Sequence, residues 1–293
     1  MRRVARICFF LAVPLSLALF SACSSADPPF EVKTAVERRE TMIGGFGHYV
    51  LSHPKADKVL VHREVYRTDS ADSADSQSAE AQPVERPVDF YYPPGCRFNK
   101  PLPTVLVVGG NINWDASVTL AELLAANGFL TVVPETLDLV KQDTPGPLAE
   151  LITLIRGDAE KLFIDPDRLA VWTEGHPSAL ALPVVMDRTQ PFHSALQCAV
   201  FASPVITFGR NNFKYDPADI SPQVPIFISR GEEDSIYEVK ISVKNFMKAA
   251  EKAGCDITYL EVEGGNHNWM TDHDTEASRK AIKAEIEFLE QHL

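Results

Sequence analysis

The chain has 293 residues, 45% hydrophobic and 23% charged, with a mean hydropathy of -0.08. That balance belongs to a soluble globular protein and excludes collagen-like, coiled-coil and multi-pass membrane chains. Lys and Arg number 28 against 40 Asp and Glu, a formal charge of -12, so nucleic acid is not expected as a partner: phosphates reward a basic surface.

Residues 1–22 read as a signal peptide. Arg2, Arg3 and Arg6 precede an apolar run from Ile7 to Phe20, and small residues follow. The run is shorter than the roughly 20 residues that a transmembrane helix needs. Phe20-Ser21-Ala22-Cys23-Ser24-Ser25 resembles the lipobox of bacterial lipoproteins, with Phe20 where Leu is usual. That resemblance implies a lipidated Cys23 as the mature N-terminus. With Ser24 next, it implies the periplasmic face of the outer membrane in a Gram-negative cell, with the lipid as the only membrane contact. Ordinary cleavage and secretion is the alternative. Cys96, Cys198 and Cys255 remain, with no CxxC and no zinc-like spacing. An oxidising compartment would allow one disulfide among them, and the sequence leaves the pairing open.

Residues 23–45 are polar, include Asp27-Pro28-Pro29, and read as a tether to a folded unit over 46–293. HYVLSH (48–53) and VLVHREVY (59–66) are β-like by their branched and aromatic residues. Residues 68–82 carry Asp69, Asp72, Asp75 and Glu80 with no base, and no Gly turn orders the acids as an EF-hand requires. They are expected to be a solvated, disordered loop. Strands are then expected at 87–93, 104–108, 129–135, 168–173, 198–204, 224–229 and 257–263. Helices are expected at 118–128, 148–163, 178–186, 238–253 and 274–291. Strand and helix alternating at this spacing predict one α/β domain, a mostly parallel sheet with helices on both faces.

Ligands of open α/β sheets bind beyond the carboxyl ends of the strands, so the segments following the strands carry the candidate site. They are Val108-Gly109-Gly110-Asn111, Thr173-Glu174-Gly175-His176-Pro177, Gly231-Glu232-Glu233-Asp234 and Gly264-Gly265-Asn266-His267. In this order, together with Asp165-Pro166-Asp167-Arg168-Leu169-Ala170-Val171, they resemble the α/β-hydrolase family over about residues 88–291. The dienelactone-hydrolase-like and esterase branches are most similar. The resemblance implies the α/β-hydrolase fold, Asp234 as the acid and His267 as the base. It also implies an oxyanion site from the His176 backbone N–H with Gly110 or Asn111.

The sequence departs from the family at the nucleophile. The expected Gly-x-Ser-x-Gly, or its Cys version, is replaced by Thr173-Glu174-Gly175-His176-Pro177. Gly175 stands at the nucleophile position with no side chain to attack. Ser178 is the nearest hydroxyl and the weak candidate to replace it; Pro177 ahead of it also suits a helix start. Trp114 and Trp269 are expected to line a pocket near these loops, and Trp172 to pack in the core. No metal or other cofactor is expected. The sequence therefore points to an envelope lipoprotein with a degenerate, non-catalytic hydrolase domain that binds a small ester-like or carboxylate-like ligand, or a protein partner. The alternative is an active carboxylic-ester hydrolase using Ser178, or water, with His267 and Asp234.

Overall fold

A computed structural model describes residues 27–41, 47–68, 84–109, 114–135, 145–206 and 223–293. Cys23, Gly110, Asn111 and the acidic stretch 69–82 lie outside these residues, as does the side chain of Trp114. The described elements are β1 (Lys33–Thr34), α1 (Ala35–Glu40), β2 (Leu60–Thr68), β3 (Val84–Tyr92), β4 (Leu102–Val108), α2 (Trp114–Ala126) and β5 (Leu130–Pro134). They continue with α3 (Gly146–Gly157), β6 (Ile164–Glu174), α4 (Ser178–Met186), β7 (Leu196–Ala202), β8 (Ile226–Gly231), α5 (Tyr237–Ala253), β9 (Ile257–Val262) and α6 (Glu276–His292). Among the described residues no helix is long and apolar enough to cross a membrane.

The strands form one nine-stranded sheet in the order β1-β2-β3-β5-β4-β6-β7-β8-β9. β1, β2, β3 and β5 pair antiparallel in turn, and every pairing from β5 to β9 is parallel. The parallel strands β4, β5, β7 and β8 are buried almost throughout, because helices cover both of their faces. One face packs α3, α4 and α5 against Leu106, Val171, Phe201 and Ile228. The other packs α2 and α6 against Val105, Val107, Trp172 and Val200. From β4 the chain steps first to β5 on one side, then to β6 and onward on the other. That reversal puts α2 and α3 on opposite faces. It also opens a crevice where the carboxyl ends of β4 and β6 lie side by side, Val108 opposite Thr173.

Two expectations are corrected. Residues 30–40 are part of the folded unit rather than tether: Phe30 stacks on His62 at 4.1 Å, Ala35 is fully buried, and Arg38 bonds Asp89 of β3. The stretch 48–53 is not a strand. Its backbone is held instead by Thr119 Oγ1, which accepts from Tyr49 N–H, and by the Met270 carbonyl, which accepts from Val50 N–H. Among the described residues Cys96, Cys198 and Cys255 form no disulfide, and Cys198 is buried in β7.

Candidate functional site

The site begins with two turns that only glycine permits. After β8 the chain turns at Gly231-Glu232-Glu233-Asp234, and the loop from β9 crosses directly over it. A Cβ on Gly231 would stand 2.2 Å from the Asn266 carbonyl oxygen and 2.3 Å from that of Gly265. The missing side chain lets the two loops touch, and backbone bonds lock them: Glu232 N–H to Val262 O at 2.9 Å and Glu233 N–H to Gly265 O at 2.8 Å. Gly109 plays a similar part at the end of β4, where a Cβ would meet Ser117 Oγ of α2 at 1.9 Å.

This register delivers Asp234 to His267. The Asp234 side chain is fully buried; Oδ1 accepts from Ile236 N–H at 2.9 Å at the start of α5, and Oδ2 lies 2.9 Å from His267 Nδ1. A carboxylate can only accept, so His267 Nδ1 donates to Asp234 and Nε2 is left facing Gly175. The His267 side chain keeps 20% of its surface exposed, enough to meet a ligand.

Nε2 faces Gly175. That residue follows β6 with φ +57°, in the left-handed region that a tight strand-to-helix turn requires. A Cβ built on it would lie 3.8 Å from His267 Nε2. The turn is closed by Gly175 N–H to Ala202 O at 3.1 Å, and the Gly175 carbonyl accepts from Val205 at 2.9 Å and Ser178 at 3.3 Å. The residues replacing the flanking glycines are absorbed. Thr173 is fully buried and its hydroxyl donates to the Val108 carbonyl at 3.0 Å, while Pro177 takes φ -57° and ψ -20° as α4 begins.

The other expected residues are distributed unevenly. Ser178 is fully buried in the first turn of α4, and its Oγ has no hydrogen-bond partner, His267 included. The helix start turns it into the core, away from solvent. His176 is exposed beside the site, and partial desolvation and then the neighbouring His267 hold its imidazole below the ordinary range. Trp269 is wholly buried, its Nε1–H donating to Ser203 Oγ at 3.1 Å, so it braces the His loop from within rather than lining a pocket. Trp172 is a core residue.

Two buried carboxyls near the site escaped the sequence analysis. Glu174 ends β6 one residue before Gly175; Tyr49 Oη donates to its Oε2 at 2.6 Å, and its Oε1 is buried without a partner. Glu285 of α6 bonds Ser229 Oγ on the same face of the sheet. Burial raises both, Glu285 to about 8, with Glu174 adding to the rise. A lone acid ending the apolar run Leu169–Thr173 was the legible signal for Glu174. Among the described residues no group of three His, Cys, Asp or Glu could hold a metal.

Esterase 2 of Thermogutta terrifontis superposes with a TM-score of 0.56 at 18% identity, covering 78% of this chain and 94% of its own. The butyrate-bound form of that enzyme gives 0.58 at 16%, covering 81% and 95%. A thermostable esterase from Pseudomonas putida gives 0.64 at 12%, covering 83% and 86%. This chain has the α/β-hydrolase fold. No family model matches it, and no curated protein matches it in sequence. Gly175 occupies the strand-to-helix turn after β6, and Asp234 and His267 follow β8 and β9.

Proposed function

We propose that this hydrolase-like domain is a binding protein that holds a small carboxylate or ester-like ligand at the crevice without cleaving it by a serine route. One observation carries the proposal: the atom that would attack is missing, while the place for it is kept. Gly175 holds the left-handed turn and points its absent Cβ toward His267 Nε2, 3.8 Å away. The Asp–His pair orients and charges an imidazole, but bond making belongs to the nucleophile, whose loss costs several orders of magnitude in rate. A carboxylate oxygen in the vacated position would accept from the Nε2–H of a protonated His267 and from the His176 backbone N–H. Lipidation of Cys23 would display the domain in the bacterial envelope, so Cys23→Ala should move the protein from the membrane fraction to the soluble fraction.

The test joins turnover and binding in the domain. Butyrate is titrated while the His267 imidazole resonances are followed, and p-nitrophenyl butyrate hydrolysis is measured on the same preparation. Expected are saturable shifts of the His267 resonances, butyrate binding by calorimetry that is lost in His267→Ala, and no enzyme-dependent hydrolysis. Turnover at the rate of an intact esterase, abolished by His267→Ala, would overturn the reading. The free Nε2 also favours a second reading, in which His267 activates a water in the same space. It requires slow turnover that survives Ser178→Ala and is lost in His267→Ala.

A further inference from the structure

A cavity of about 560 Å³ runs between α5 and the edge strand β9. Its wall is a helical stripe of Lys240, Lys244 and Lys248, one residue per turn, spanning about 12 Å. All three lysines are exposed, and none has an ion-pair partner among the described residues. The floor is apolar, built from Val243, Met247, Ile257 and the ring of Tyr259. Arg230 of β8 also lines the cavity and is 5% exposed. Its Nε–H donates to Tyr259 Oη at 3.2 Å and its Nη2 to Glu261, but Nη1 is buried with no partner. Glu251 at the lower end is the remaining carboxylate of the wall.

We infer that this groove is a binding site for an elongated amphipathic anion, a carboxylate carried on an apolar body. The volume lies within the range of small-molecule sites, about 300–1,000 Å³, and an apolar floor with a few placed polar groups is their usual lining. The sign of the charge chooses the ligand. A chain of formal charge -12 brings together along one groove three lysines that have no ion-pair partner among the described residues. The ammonium groups of Lys240, Lys244 and Lys248 are exposed along the groove and can donate to an entering carboxylate. The lysine stripe would hold the head, and Val243, Met247 and Ile257 would take the alkyl body. None of Gly175, Asp234 and His267 lines the groove, so it does not depend on the crevice ligand.

Dodecanoate below its micellar concentration is the probe, titrated by calorimetry into the domain, with acetate and dodecyltrimethylammonium as controls. Saturable one-to-one binding of dodecanoate is expected, strengthening roughly fourfold per buried methylene across a chain-length series. Acetate and the cationic amphiphile should not bind. The exposed triple variant Lys240→Glu, Lys244→Glu, Lys248→Glu should weaken dodecanoate at least tenfold with the fold intact by circular dichroism, and His267→Ala should leave it unchanged. Equal affinity for the cationic amphiphile, binding lost in His267→Ala but kept in the triple variant, or no binding at all would overturn the site. So would capture of the domain by anionic vesicles without binding of monomeric dodecanoate, or a concentration-dependent dimer that the triple variant abolishes in a chain that ignores dodecanoate.

Discussion

At the scale of single residues, the site depends as much on absent side chains as on present ones. Gly231→Ala places a methyl within 2.3 Å of two carbonyl oxygens, so one loop must move. It should cost about 3 kcal/mol in urea unfolding and pull Asp234 away from His267. The His267 Nδ1 proton resonance should then lose its hydrogen-bonded shift. Glu285 gives a pH signature. Its carboxyl is raised to about 8 in the folded chain from 4.5, so the folded state keeps a proton that the unfolded state has released. The stability that Glu285 contributes is therefore fully present below pH 4.5 and is lost as pH rises through about 8. Glu285→Gln should remove about 2–4 kcal/mol of the difference between unfolding at pH 5 and at pH 8. An unchanged pH profile would mean that Glu285 ionises freely in the folded protein.

At the scale of elements, α1 is the part the sequence analysis misassigned, and its signal was present. Thr34-Ala35-Val36-Glu37 is a capping box: Thr34 Oγ1 accepts from Glu37 N–H at 3.2 Å, and Glu37 Oε2 accepts from Thr34 N–H at 2.7 Å. The helix is clamped by Arg38, which with Arg63 surrounds the fully buried Asp89, and by Arg39 on Glu122. Arg38→Met should release residues 33–40, seen as a loss of hydrogen-exchange protection there. It should also destabilise the fold by about 2–3 kcal/mol, since Asp89 loses a charged partner in the interior. Elsewhere the patterns were readable. The apolar stretch 178–186 matches α4 end to end because nearly every position is buried, so its limits follow composition. Helix 148–163 was overextended. Ala159 and Leu162 stay buried and keep the periodic pattern, although α3 has ended at Gly157 and the chain turns through Phe163 at φ +57°.

At the scale of the whole molecule, the sheet reversal at β4 and β6 locates the crevice, and successive strand ends supply its groups. Gly175, Asp234 and His267 were placed because their segments follow successive strands and resemble family motifs, and the contact of Asp234 with His267 was expected from that order. The Gly231 contact that sets its register was not legible, since it joins residues more than 30 positions apart. Ser178 was misleading for a similar reason: proximity in sequence does not say which way a helix turns its first side chain. The central claim is that this domain keeps the geometry of a hydrolase without its nucleophile, and restoring one atom set tests it. Gly175→Ser, with Cβ about 3.8 Å from His267 Nε2, is treated with a fluorophosphonate probe beside wild type, Ser178→Ala, and Gly175→Ser with His267→Ala. The account predicts no labelling of wild type, labelling of Gly175→Ser at residue 175, and its loss when His267 is removed. Labelling of wild type that disappears in Ser178→Ala would contradict it.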